Sequence, residues 1–277
     1  MSITFEEIKL SGASVELAAK RWRLGDVPVL ALHGWLDNAG TYDRLAPSLQ
    51  GCDLVALDSP GHGYSGHRPK GTPYHFVDWL PEVFAAADSL GWDKFCLLGH
   101  SMGAAIASVA AGTFPDRIRR LALIEGIGPL TNPDEEAPKL MAKAILQKPS
   151  QGQNVYATRE KAQARIESRG LTSAAALCLL ERALAKVEGG WAFTYALEAR
   201  ASSRARLSEG QVRAFLRLIS CPTLLVRADN GMKAPENYYD REREVANIEV
   251  RMRPGKHHLH LDQPEVLAND VREFLLG

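Results

Sequence analysis

The first group in this chain whose surroundings suggest chemistry is a serine with a glycine two residues to either side. Gly99-His100-Ser101-Met102-Gly103 follows the apolar run 94–98 and leads into the small-residue stretch 104–107. Strand, sharp turn and helix form the context in which a G-x-S-x-G serine becomes a nucleophile, because the strained turn lifts the hydroxyl above the sheet edge. Larger side chains at Gly99 and Gly103 would collide with the adjoining strand and helix. The helix start behind the serine would direct backbone N–H groups and a positive dipole end at the reacting centre. A serine used in this way needs a base to take its proton and an acid to orient that base. Eight histidines compete for the first role.

The elements that must position Ser101 are legible as apolar runs. Residues 3–10 and 15–22 roughly alternate and predict two strands joined at Ser11-Gly12-Ala13. Near-continuous apolar runs at 27–32, 53–57, 94–98, 118–124, 222–226 and 248–252 predict strands buried on both faces of a parallel sheet. Helices are expected at 41–49, 77–90, 101–113 and 264–276, so strand and helix alternate as in an α/β protein. Residues 129–218 read differently. They are rich in Ala, Arg and Glu and lack strand runs, and 171–187 predicts a helix capped by Thr172 or Ser173 and stopped at Gly189-Gly190. A second helix is expected at 211–219. The expected organisation is a core of 1–128 and 219–277 carrying a helical lid at 129–218.

Composition narrows the function. Lys plus Arg and Asp plus Glu each number 33, so the formal charge is zero and nothing marks a nucleic-acid or anionic-membrane partner. The four cysteines have no C-x-x-C spacing, and neither a metal nor a cofactor is expected. The first ten residues lack the basic and apolar regions of a secretory signal, and no apolar run reaches the roughly 18 residues of a spanning helix. A cytoplasmic location is the expectation.

Three further segments carry a resemblance. His33-Gly34-Trp35 looks like an HG-x turn after a third strand. Asp58-Ser59-Pro60-Gly61-His62-Gly63-Tyr64-Ser65 looks like a D-x-P-G-H-G-x-S segment. Residues 256–265, Lys-His-His-Leu-His-Leu-Asp-Gln-Pro-Glu, look like the G-H-x-x-H-x-E-x-P-E stretch around a catalytic histidine. With the serine motif, and in this order, they make the chain resemble the α/β-hydrolase superfamily over nearly its full length. Gly189-Gly190-Trp191, residues 207–212 and residues 221–225 are similar to the serine-hydrolase-like proteins within it.

The resemblance implies a mostly parallel sheet flanked by helices, and it assigns roles. His257, five residues before Asp262, takes the place of the catalytic base, although Lys256 stands where the family usually has glycine. Two carboxylates remain open as the acid. Asp229, after the strand at 223–226, is preferred, although the expected acid slot holds Gly231. Glu125, at the end of the preceding strand, is the alternative and resembles the acid that some haloalkane dehalogenases use. Backbone N–H groups of Met102 and Trp35 would form the oxyanion hole. Trp35 and His100 are candidate substrate contacts, while His33 and His62 read as braces of their turns. The implied activity is hydrolysis of small to medium carboxylic esters through an acyl-enzyme. Carbon–carbon bond hydrolysis, with Arg200, Arg204 or Arg206 meeting a substrate carboxylate, and a weakly catalytic small-molecule receptor are the alternatives.

Overall fold

The continuous apolar runs become the interior strands of one sheet. The computed structural model describes residues 4–147 and 152–277. Its main strands are β1 (Glu6–Ser11), β2 (Glu16–Arg23), β3 (Gly25–Leu32), β4 (Gly51–Leu57), β5 (Phe95–His100) and β6 (Ile118–Ile124). After a long intervening segment with strands β7 (Val155–Tyr156), β8 (Leu184–Val187) and β9 (Gly190–Phe193), the sheet resumes with β10 (Thr223–Asn230) and β11 (Ile248–Lys256). The strand order in the eight-stranded sheet is β1-β2-β4-β3-β5-β6-β10-β11. Pairs β1/β2 and β2/β4 are antiparallel and the rest are parallel.

Period-two alternation explains why these runs are apolar throughout. Leu30 and Leu32 of β3, with Leu97 of β5 and Leu121 and Leu123 of β6, face one core. That core is closed by α1 (Leu80–Ser89) and α2 (Met102–Thr113). Val29 and Ala31, with Cys96, Leu98, Ala122 and Ile124, face a second core on the other side. Val271 and Leu275 of the C-terminal helix Ala268–Leu276 close it. From β3 the chain goes to β4 on one side and then crosses to β5 on the other. The strand order therefore reverses beside β3, and a crevice opens at the carboxyl ends of β3 and β5.

Residues 129–218 depart from the all-helical expectation. They hold α3 (Ala137–Leu146), α4 (Arg159–Glu167), α5 (Ser173–Ala183) and α6 (Glu209–Arg217), and also a three-stranded sheet ordered β7-β9-β8. Thr172 does cap α5, its side chain accepting from the Ala175 N–H. The helix ends at Ala183 rather than continuing to residue 187. Gly189 and Gly190 have φ of 81° and 149°, so they make a hairpin turn, and the residues before them pair with β9 rather than extend the helix. The short strand 184–187 was invisible as a run because it is mostly exposed. Two short helices, α7 (Glu236–Tyr239) and α8 (Leu259–Asp262), lie in the segments flanking β11, before the C-terminal helix, which is α9. No helix among the described residues is long and apolar enough to cross a membrane.

Candidate active site

Ser101 sits between the end of β5 and the first residue of α2, with φ 52° and ψ −114°. A β-carbon added to Gly99 would lie 2.5 Å from the Ala104 α-carbon, and one added to Gly103 would lie 2.1 Å from the Leu32 carbonyl oxygen. Both glycines are thus required by close approach of backbone. Among the described residues three non-glycines have positive φ: Leu36, Ser101 and Glu125. They follow the carboxyl ends of β3, β5 and β6, three strands that are neighbours in the sheet. Such backbone costs about 1–3 kcal/mol per residue and persists where the surroundings enforce it.

A continuous hydrogen-bonded chain runs through this crevice. The Ser101 hydroxyl donates to His257 Nε2 at 3.0 Å, and His257 Nδ1–H donates to Glu125 Oε2 at 3.1 Å. The carboxylate also accepts from the Ala228 N–H on Oε1 and the Met232 N–H on Oε2, each at 2.7 Å. Burial by itself would raise the Glu125 carboxyl pKa. The hydrogen bonds from His257, Ala228 and Met232 outweigh it and hold the group below its ordinary 4.5.

Glu125 therefore has a folded-state pKa below its unfolded one. Its stabilising contribution is complete above about pH 4.3 and is lost as pH falls through the depressed value. Denaturant unfolding of wild type and Glu125→Gln across pH should show a stability gap that narrows as pH falls below about 4.3.

The structure does not bring Asp229, the preferred candidate, to the imidazole. Its carboxylate does not meet the His257 ring; Oδ1 accepts from the Gly255 N–H of β11 at 3.0 Å, and the residue is exposed. β10 continues through Asn230 with a register shift between Ala228 and Asn230, which places Asp229 on the β11 side. The place of a side chain at position 231 is taken by Glu125: a β-carbon on Gly231 would lie 2.2 Å from Glu125 Oε2. Gly231→Ala should accordingly keep the fold but push the carboxylate off the ring. A fall in turnover of about 10–10²-fold is expected, with unchanged circular dichroism.

Nor does the structure bring His100 into the cavity: this residue precedes the turn, is fully buried, and donates from Nε2 to the His257 carbonyl at 2.9 Å. Trp35 does line the cavity in front of Ser101, and its indole N–H donates to the Ala199 carbonyl at 2.9 Å. Met102, as the first residue of α2, has an N–H with no intrahelical acceptor.

The braces are as their turns require. His33 Nδ1–H donates to the Gly34 carbonyl while Nε2 accepts from the Ser59 N–H. His62 Nδ1 meets the Pro60 carbonyl, and burial holds its pKa down at about 3.

The cavity measures about 300 Å³ and is lined by Phe76, Met102, Leu130, Met232 and Tyr238 around Ser101. Met102 belongs to the serine turn itself; the other side chains come from distant segments of the chain, and no local pattern announces them. Among the described residues no Lys or Arg lines it. Arg200 is exposed and lines a different recess with Arg165 and Arg169, and Arg204 and Arg206 are exposed.

A search of known families matches the alpha/beta hydrolase fold to residues 27–264. The chain belongs to that family. It is 31% identical over 268 residues to a serine hydrolase-like protein of Danio rerio, covering 90% of this chain and 81% of the relative. It is 29% identical to a probable serine hydrolase of Drosophila melanogaster, over 98% of this chain and 88% of that one. Among solved structures, a hypothetical protein from Pseudomonas aeruginosa PAO1 superposes with a TM-score of 0.88 at 38% identity, covering 98% of both chains.

Proposed function

We propose that this hydrolase cleaves carboxylic esters with a neutral acyl group of small to medium size, using Ser101, His257 and Glu125 as a triad. The observation that carries the reading is the chain of hydrogen bonds from Glu125 through His257 to Ser101, opening on a largely apolar cavity to which no described residue contributes a cationic side chain. In the first step His257 Nε2 takes the Ser101 proton as Oγ bonds to the carbonyl carbon. The carbonyl electrons move onto oxygen, facing the N–H groups of Met102 and Trp35. As the tetrahedral adduct collapses, His257 returns the proton to the leaving alcohol. Water then repeats the sequence on the acyl-enzyme, releasing the acid and restoring the Ser101 hydroxyl. Glu125 stays ionised and stabilises the imidazolium that forms in both halves. Residues 129–218 serve as a lid, with Pro129 and Leu130 contributing one wall.

The exposed positions of Arg200, Arg204 and Arg206, away from the cavity, argue against a substrate carboxylate and so against the carbon–carbon hydrolase reading. A fluorophosphonate probe should label the wild-type protein at Ser101, and labelling should vanish in Ser101→Ala. A panel of p-nitrophenyl esters should give the highest kcat/KM for uncharged acyl groups, with charged acyl groups poorer by about tenfold or more. A folded wild-type protein that takes no label would end the hydrolase reading.

A further inference from the structure

Behind His257, on the side away from the cavity, three donor atoms converge that the triad does not use. The His258 Nε2–H donates to Asp37 Oδ2 at 3.1 Å. His100 Nδ1 lies 3.9 Å from the same oxygen. All three ligand atoms fall within 4.8 Å of one another. The His100 proton is on Nε2, because that nitrogen faces the His257 carbonyl, which can only accept. Burial, followed by His260, His258 and His257, holds His100 neutral. Its Nδ1 lone pair is thus bare, fully buried, and without a partner among the described residues. It faces a carboxylate oxygen, so two acceptors confront each other with no hydrogen between them.

The backbone comes close at this point: a β-carbon on Gly34 would crowd His100 Nδ1 at 3.0 Å and Asp37 Oδ2 at 3.2 Å, so glycine leaves both atoms free of a neighbouring side chain. Arg169 is on the other carboxylate oxygen, Oδ1, at 3.3 Å, which leaves Oδ2 for a second cation.

We infer that Asp37, His100 and His258 bind one divalent transition ion, zinc foremost, and that the bound ion slows turnover by shifting His257. Two imidazoles and one carboxylate are a zinc donor set, with bonds of about 2.0–2.2 Å and an open fourth position for water. Asp37 Oδ2 stands 3.1 Å from His258 Nε2 and 3.9 Å from His100 Nδ1, against roughly 3.4 Å between two ligands of a tetrahedral ion at about 2.1 Å, so the donors close on the ion by side-chain shifts. Binding moves the His258 proton from Nε2 to Nδ1, or to solvent where the ring is charged. The coupling to catalysis is mechanical: His258 is the next residue to the base, and His100 holds the base's carbonyl. This second half rests on the hydrolase reading; the binding half does not.

The test uses cobalt as a spectroscopic substitute for zinc near neutral pH. Wild-type protein should take up one Co²⁺ with the visible absorption of a four-coordinate site, displaced by Zn²⁺. His257→Gln should retain that spectrum. His258→Gln and Asp37→Asn should weaken binding by about 10²-fold or more. In ester assays Zn²⁺ should lower wild-type kcat about tenfold and leave His258→Gln at its own zinc-free rate. No cobalt spectrum in the wild type overturns the site, as does a spectrum lost in His257→Gln but kept in His258→Gln. Zinc that binds without changing kcat overturns the inhibitory half. A protein that binds cobalt and hydrolyses no ester keeps the site and loses the hydrolase reading.

Discussion

Glu125→Gln is expected to lower kcat/KM for a short-chain ester by about 10³-fold, and Asp229→Asn by less than about twofold. The amide is close in shape to the carboxylate, so the loss reads out charge and hydrogen bonding. Three donors converge on Glu125: the His257 ring N–H and the backbone N–H groups of Ala228 and Met232. An amide has one acceptor oxygen, so at least one of these donors must face an NH₂ group. If the oxygen stays with His257 and Met232, the ring keeps its tautomer, but no charge stabilises the imidazolium and Ala228 loses its acceptor. If the amide turns over, His257 loses its tautomer as well. Asp229, by contrast, makes one exposed hydrogen bond to Gly255. The reciprocal experiment moves the acid to the other strand end. In Glu125→Gly/Gly231→Asp the clash at 2.2 Å is removed together with the Glu125 side chain, and a carboxylate is offered from position 231. Activity about tenfold or more above Glu125→Gly alone is expected. Steady-state kinetics on the four variants decides it: equal loss in Glu125→Gln and Asp229→Asn, or full activity in the first, would refute the triad proposed.

The sequence carried the sheet and the serine turn because their signals are local. Continuous apolar runs mark strands covered on both faces, and glycines at 99 and 103 mark backbone packed against backbone. The acid was harder. Position 231 holds a glycine where a carboxylate is usual, and that glycine is itself the signal: its missing side chain is the space that Glu125 fills. Reading it required knowing that the ends of β6 and β10 lie side by side, which is a matter of strand order and not of spacing. The same limit hid the cavity walls and the convergence of Asp37 with His100 and His258. It also hid the hairpin after α5, where exposed residues 184–187 carry no strand pattern and only the glycine turn betrays it. The positive φ at Leu36, Ser101 and Glu125 ties these together: strain collects at the ends of β3, β5 and β6, where the catalytic groups are proposed to stand.

Arg182→Met should destabilise the protein by about 3–5 kcal/mol. Arg182 and Asp58 are 2% and 0% exposed at their side chains. The guanidinium reaches Asp58 Oδ2 from Nη2 at 2.6 Å and from Nε at 3.1 Å, and Nη1 pairs with Glu7. It also lies 4.2 Å from the centre of the Tyr64 ring. Asp58 in turn accepts from the Ala39 N–H at 2.7 Å and the Tyr64 N–H at 2.9 Å, so it holds the loops after β3 and β4 together. Removing the arginine leaves that buried carboxylate with two backbone donors and no countercharge. Asp58→Asn/Arg182→Met removes the stranded charge while keeping an oxygen for one donor. Its stability should exceed the sum of the single losses by about 1–3 kcal/mol in a double-mutant cycle. Equilibrium unfolding in urea reads both quantities. Strict additivity would mean that the pair contributes packing alone. A positive coupling would mean that Asp58 needs Arg182 because α5 covers it, so that residues 129–218 and the sheet are fastened at a buried charge. The turn carrying Trp35 lies between Ala39 and β3, and kcat/KM of Arg182→Met should fall about tenfold as that turn loses its anchor.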